Sequence, residues 1–319
     1  MKHLKLYSIA LAAVGLLGLS ACSNSDVSQS QKEEKVTFTA LNGKVEVPAH
    51  PERIAVQNYP DDVATLGGNV IGTDSWAFPN PYLSDKQKEN MVDLGSPSFN
   101  IEKLIGQKPD LIVTVDKTQV SDYEKVAPTV LVNYQDLNDM DKSLDFFAKL
   151  LNREDEKKEF LKTFDKKAEE QKTNLKAQGI DTAQSSISLL ELQGDKIYAY
   201  GDNFARGGQA LTRGLGFQES PKMSELSKGT GYAEVNAESL KDFDADYIFI
   251  DFKNADKAQY EALQKNPVWK NLKAVKEGHV ITMDYDKVYF FGGPTASMAQ
   301  LTDYTEALLK QTKYKNWEP

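Results

Sequence analysis

The sequence predicts an α/β protein: two α/β lobes with mostly parallel sheets, joined by a single long helix. Three observations carry that reading. Short apolar runs bounded by Pro and Gly alternate with helical stretches in both halves of the 319-residue chain, as in a parallel sheet covered by helices. Between the halves, residues 139–178 contain neither Gly nor Pro and place Leu144, Phe147, Leu151, Phe160, Phe164 and Ala168 at helical spacing. One stretch also recurs. Asn100-Ile-Glu102-Lys-Leu104 precedes Pro109-Asp110-Leu-Ile-Val, and Asn236-Ala-Glu238-Ser-Leu240 precedes Ala245-Asp246-Tyr-Ile-Phe. In each copy the Asn suits a helix N-cap and the Glu falls in the first turn.

From the N-terminus, Lys2 and Lys5 form a short positive segment, followed by an almost wholly apolar run from Leu6 to Leu19. That run is shorter than the roughly 20 apolar residues a spanning helix needs, and it reads as a signal peptide over residues 1–21. Leu19-Ser20-Ala21-Cys22 contains the only cysteine of the chain and looks like the lipobox of bacterial lipoproteins, in which the cysteine sulfur is lipidated. Residues 22–35 are then the lipidated N-terminus and a polar, flexible tether. This places the body on the extracytoplasmic face of a bacterial cell membrane, held by Cys22.

Residues 36–150 read as the N-terminal lobe, with strands over 53–56, 69–72, 110–115 and 129–132 and helices over 100–107 and 121–127. Residues 151–179 read as the bridging helix. Its charge-rich part, 154–178, would extend roughly 37 Å at 1.5 Å per residue and stop at Gly179. A surface helix inside one lobe is the alternative, and the polar character of several faces favours the bridge. Residues 180–319 read as the C-terminal lobe, with strands over 187–192, 196–200, 246–252 and 279–283 and helices over 207–215, 237–243, 256–264 and 295–311.

Composition narrows the function. Lys and Arg number 38 against 47 Asp and Glu, a formal charge of −9, which argues against nucleic acid as a partner. A single cysteine and three histidines leave little from which to build a metal site. Nucleophile-elbow, phosphate-loop and zinc-protease motifs are all missing, so no catalytic residue is assigned. The most informative segment is Tyr198-Ala-Tyr200-Gly-Asp-Asn-Phe204-Ala-Arg206-Gly-Gly. It leaves a strand, turns, and enters a helix, with Phe204 and Arg206 expected at the loop tip, where rigid scaffolds carry recognition residues. Further aromatics sit in or near other post-strand loops: Tyr59, Trp76, Phe78, Tyr134, Tyr289 and Phe291. Loops after parallel strands build ligand crevices, so these residues suggest a cleft with aromatic walls.

On these residues the chain resembles the substrate-binding lipoproteins of iron–siderophore ABC importers, and most closely the ferric-hydroxamate binders. Besides the lipobox, the motifs are Pro51-x-Arg53-Ile-Ala-Val, Asn100-Ile-Glu102-Lys-Leu, Lys108-Pro-Asp-Leu-Ile, Ala127-Pro-Thr-Val, Tyr200-Gly-Asp-Asn-Phe-Ala-Arg206-Gly-Gly and Lys276-Glu-Gly-His279. The resemblance implies a monomeric binding protein without catalysis, with a shallow interlobe cleft, no cofactor and no protein metal ligand, since the siderophore holds the iron. It implies that Arg206 donates to hydroxamate oxygens, and that Tyr198, Phe204, Tyr134 and Tyr289 pack on the siderophore. Relatives carry Trp where this chain has Phe204. Glu102 and Glu238 match the pair that docks on the permease subunits of the importer. A ferric tris-hydroxamate is near neutral around its iron and suits one arginine among aromatic walls, whereas a tris-catecholate complex would call for a cluster of cations. Removal of Arg206 is then expected to weaken binding by roughly 1.5–3 kcal/mol with the fold intact. A ferric catecholate, haem or a corrinoid on the same scaffold is the alternative.

Overall fold

In the computed structural model the described residues are 34–289 and 292–315. The export signal, Cys22, most of the tether, and Phe291 lie outside them. The N-terminal lobe opens with a hairpin, β1 (Lys35–Ala40) and β2 (Gly43–Pro48). Then follow β3 (Ile54–Val56), β4 (Val70–Thr73), β5 (Val92–Asp93), β6 (Leu111–Thr114) and β7 (Thr129–Leu131). These five form one sheet in the order β5-β4-β3-β6-β7, every pair parallel. β3, β4 and β6 are buried along their whole length, which is why they read as unbroken apolar runs rather than as alternating ones.

The hairpin was not anticipated. Its period-two pattern is legible in Val36, Phe38 and Ala40, but the polar tether in front of it drew the boundary to residue 36, and β1 starts one residue earlier. Asn42 fastens the hairpin to the edge of the sheet. It donates to the Thr129 carbonyl at 2.9 Å and accepts the Leu131 N–H at 3.0 Å, covering backbone groups that an edge strand would otherwise expose.

The C-terminal lobe holds β8 (Ser186–Gln193), β9 (Lys196–Tyr200), β10 (Gln218–Glu219), β11 (Tyr232–Val235), β12 (Tyr247–Phe252) and β13 (Val280–Asp284). The order is β11-β9-β8-β12-β13, with β10 paired to β8. β9 alone runs against its neighbours, because a two-residue turn at Gly194-Asp195 folds it directly back on β8. Gly194 supplies the positive φ, 59°, that such a turn requires.

Five helices matter for the site: α1 (Pro60–Thr65), α2 (Ile101–Gln107), α3 (Met140–Leu151), α4 (Glu154–Ala177) and α5 (Pro294–Lys315). The Gly- and Pro-free stretch is two helices, not one. Asn152 adopts the left-handed conformation at φ 55° and caps α3, a state that Asn tolerates better than most residues. The segment 151–179 therefore includes the end of α3 and its cap as well as α4. The helix expected over 207–215 is a short π-helical turn, Ala210–Gly214, and that over 237–243 is a 3₁₀ turn, Ser239–Phe243.

α4 buries Phe164, Ala168 and Leu175, a stripe spaced four and seven residues apart, against α3 and α5. One hydrophobic cluster runs from Val56 and Leu111 through Phe147 and Phe164 to Ile187 and Phe249, so the two lobes share a core. α5 makes a second connection. It packs on α1 of the N-terminal lobe and on β13 of the C-terminal lobe. At its start, the Asp61 carboxylate accepts the N–H groups of Thr295 at 3.0 Å and Ala296 at 3.3 Å.

The echoed stretches are structural counterparts. Asn100 accepts the Lys103 N–H at 3.0 Å, and Asn236 accepts the Ser239 N–H at 2.8 Å. Leu104 and Leu240 are fully buried. Asp110 takes the N–H groups of Glu52 and Arg53 beside β3, at 2.7 and 2.9 Å, and Asp246 takes the N–H of Ser186 at the start of β8, at 2.7 Å. In both lobes one carboxylate thus ties a strand to the neighbour that starts beside it. Glu102 and Glu238 are exposed.

Candidate ligand-binding cleft

A cavity of about 450 Å³ opens between the lobes, within the size range of small-molecule sites. Its walls come from segments that follow strands. After β3, Asn58 (φ 67°) turns the chain into α1 and presents Tyr59, Asp61 and Asp62. After β4, Asp74 accepts the N–H groups of Asn58 at 2.6 Å and Trp76 at 3.1 Å, fixing the turn that carries the exposed Trp76. After β7 comes Tyr134, and after β9 come Asp202, Asn203, Phe204 and Ala205.

The aromatic residues form a continuous path across the cleft. Tyr59 and Tyr134 lie 6.5 Å apart by ring centroid, Tyr134 meets Phe204 edge-on at 6.0 Å, and Phe204 stacks on Tyr200 at 5.8 Å and tilts against Tyr232 at 5.0 Å. The Tyr134–Phe204 contact joins the two lobes. Of the sequence candidates, Tyr59, Trp76, Tyr134 and Phe204 line the cavity together. Tyr198 and Tyr289 are half-buried beside that wall, and Phe291 lies outside the described residues.

Arg206 requires a correction. It is not at a loop tip: its side chain is 3% exposed. Ala205, Arg206 and Gly207 all have positive φ, at 57°, 50° and 71°, and this tight reversal turns the arginine inward, behind Phe204. Gly207 has no alternative there, since a Cβ would lie 2.0 Å from the Tyr304 hydroxyl, which donates to the Arg206 carbonyl at 2.5 Å. The guanidinium donates through Nε to Glu191 at 2.8 Å. It lies 4.0 Å from the Tyr200 ring centroid and 4.5 Å from that of Tyr289, close enough for cation–π attraction on both sides.

Glu191 on β8 is fully buried, and its cross-strand neighbour on β12 is Asp251, 3% exposed. Burial, and then the neighbouring Glu191, push the Asp251 carboxyl well above the usual carboxylate range. The charge of Arg206 is met chiefly by Glu191, and the raised Asp251 carboxyl lowers the cost of a second acid in the same buried cluster. Sequence reading missed Glu191, Asp251 and Tyr232. The first two left a signal, one acid in each of the otherwise apolar strands SISLLELQ and YIFIDF.

The described residues lining the cavity include five aspartates (Asp61, Asp62, Asp74, Asp139 and Asp202) and no Lys, Arg or His. All five have polar partners: Asp61 and Asp74 as above, Asp62 with the Ser143 hydroxyl, Asp139 with Lys142 at 2.7 Å, and Asp202 with the Thr212 hydroxyl at 2.8 Å. No group of three or more His, Cys, Asp or Glu able to hold a metal ion occurs among the described residues.

Residues 57–286 match the model of the family described as periplasmic binding protein. The chain belongs to that family. Its members bind and hand over a substrate, so this chain is a binding protein and not an enzyme, and it needs no resident cofactor. It is 35% identical over 311 residues to the iron(3+)-hydroxamate-binding protein FhuD of Bacillus subtilis, covering 95% of each chain. It is 31% identical to YxeB of the same organism, also an iron(3+)-hydroxamate-binding protein, over 96% of this chain and 97% of the relative. Among solved structures, FhuD2 of Staphylococcus aureus with bound ferrioxamine B superposes with a TM-score of 0.70 at 28% identity, covering 82% of this chain and all of that one. A FhuD-fold component of a ferrichrome ABC transporter from B. subtilis gives 0.70 at 35% identity, over 86% of this chain and all of the other. The two-lobed fold and the long helix expected from the sequence agree with these neighbours.

Proposed function

We propose that this chain captures a ferric hydroxamate siderophore in the interlobe cleft and delivers it to the permease of an ABC importer for iron uptake. One observation carries the ligand class: an aromatic-walled cavity whose described lining is acidic and has no cation. A tris-catecholate complex, with about three negative charges, meets repulsion and no counter-charge there. A tris-hydroxamate complex, neutral around its iron, stacks on Trp76, Tyr134 and Phe204 without that penalty. Both B. subtilis relatives are named for the same ligand class, which supports the reading. Arg206 acts from behind the wall, holding Tyr200, Phe204 and Tyr289 in place, and Tyr198 extends the same face of the sheet beside Glu191. The protein works as a monomer, anchored to the cell membrane through a lipidated Cys22.

Glu102 and Glu238, exposed on counterpart elements of the two lobes, are the docking pair for the permease subunits. Exposed ion pairs are worth roughly 0.2–1 kcal/mol each, yet two on one body fix its orientation because the second forms intramolecularly.

Equilibrium titration of the purified protein with ferric tris-hydroxamates, ferric tris-catecholates and haem tests the ligand class. Hydroxamate complexes should bind tightest, and tighter binding of a catecholate complex or of haem refutes the assignment. In cells, Glu102→Ala combined with Glu238→Ala should impair uptake more than either single change while affinity stays unchanged. Normal uptake by the double variant at matched surface abundance reduces both residues to helix-terminus stabilisers.

A further inference from the structure

Two of the five cleft aspartates stand apart from the rest. Asp61 and Asp62 are 5% and 3% exposed, both line the cavity, and in each one carboxylate oxygen, Oδ1, is buried without a hydrogen-bond partner. Tyr59, one turn earlier in the same segment, is 5% exposed, also lines the cavity, and its hydroxyl likewise has no partner. Buried polar atoms left this way are costly, and three within four consecutive residues leave one wall of the cavity with acceptors that the described residues do not fill.

The rest of the surroundings accounts for only part of the charge. Asp61 is engaged through Oδ2 with the start of α5, its carboxylate also takes the Thr65 and Thr295 hydroxyls, and Gly293 lies so close that a Cβ would sit 2.3 Å from Oδ2. The Ser143 hydroxyl bonds the Asp62 carboxylate. No lysine, arginine or histidine is among the described lining residues. Burial pushes the Asp62 carboxyl up to about 7, with the charge of Asp61 adding to the rise. An arriving cation relieves both effects, because it provides the missing counter-charge within the low-dielectric wall.

The chemistry that fits is a primary ammonium. It carries three donors and no acceptor, which suits a wall that holds two carboxylates and a phenol and, among its described residues, no cation, and the Tyr59 and Tyr134 rings, 6.5 Å apart, add π faces at the same wall. We propose that Tyr59, Asp61 and Asp62 form a subsite for a cationic group of the ligand, an ammonium carried on the organic backbone of the ferric hydroxamate. The subsite rests on the hydroxamate reading and sharpens it: among ferric hydroxamates, this cleft selects those that bear a positive charge away from the iron.

The test compares two ferric complexes of one linear tris-hydroxamate, the first with a free terminal ammonium and the second N-acetylated at that nitrogen. The wild-type protein should bind the ammonium form at least about tenfold more tightly. Asp62→Asn should lower that ratio toward one, chiefly by weakening the ammonium complex. Asp61→Asn, which retains an oxygen to cap α5, gives a second variant in case the first folds poorly. Equal affinity of the wild type for the two complexes, or a preference that survives both variants, overturns the subsite and leaves the hydroxamate reading standing. Binding of neither complex overturns the hydroxamate reading and the subsite with it.

Discussion

The two lobes share a construction unit and differ at the cleft. Both carry an Asn-capped turn, a buried leucine and an aspartate that ties two strands together, at Asn100, Leu104 and Asp110 in one and at Asn236, Leu240 and Asp246 in the other. At the cleft, the N-terminal lobe presents carboxylates with unpartnered oxygens, at Asp61 and Asp62. The C-terminal lobe keeps a cation behind aromatic rings, as Arg206 on Glu191, beside an Asp251 whose carboxyl burial holds well above the usual range. The unit sets the scaffold, and the loops beyond the strand ends set what each wall offers a ligand. One wall is built to attract charge, the other to stay rigid.

The sharpest break of that comparison is Arg206→Ala. If the C-terminal cluster is structural, removing the cation strands Glu191 in the core and costs about 3–5 kcal/mol of stability, read as a lowered midpoint in urea unfolding. A variant as stable as wild type would mean that the cluster does not hold the wall. This revises the expectation, drawn from sequence, that Arg206 could be removed with the fold intact.

The N-terminal wall should reveal itself through pH. Burial raises the Asp62 carboxyl from 3.8 to about 7, so the folded state binds that proton more tightly than the unfolded chain. Stability is therefore lost as pH rises between those values and is level above them. Asp62→Asn should remove this share of the slope, gaining less stability than wild type on acidification from about pH 8 to about pH 6. Identical slopes in thermal unfolding would show that Asp62 titrates normally.

The smallest effect probes the shared unit. Asn100→Ala should cost about 1 kcal/mol, the usual value of an N-cap. Asn236→Ala should cost less, because it heads a five-residue 3₁₀ turn where Asn100 heads a seven-residue α-helix. A larger loss at Asn236 would invert the ranking of the two copies.

Much of this organisation was legible in the sequence. The parallel strands of the N-terminal lobe announced themselves as short apolar runs after prolines, because both faces of that sheet are covered. The aromatic candidates Tyr59, Trp76, Tyr134 and Phe204 could be placed at the cleft because post-strand loops converge at one edge. The direction of Arg206 was not legible. It depends on three successive positive φ angles, two of them at non-glycine residues, which no local preference predicts. Nor could spacing reveal that Glu191 and Asp251 are neighbours, since strand register decides it. The role of Asp61 at the start of α5 joins residues more than 230 positions apart and belongs to the tertiary fold alone.

The central claim is that the ligand sits between the lobes, against the N-terminal aromatic wall. Trp76 is 56% exposed and lines the cavity, whereas Trp269 is buried in a separate core of the C-terminal lobe. Tryptophan fluorescence during titration with a ferric tris-hydroxamate should therefore fall saturably in the wild type, and Trp76→Phe should lose most of that change while still binding. Quenching of undiminished amplitude in the Trp76→Phe variant would place the ligand elsewhere and contradict the account.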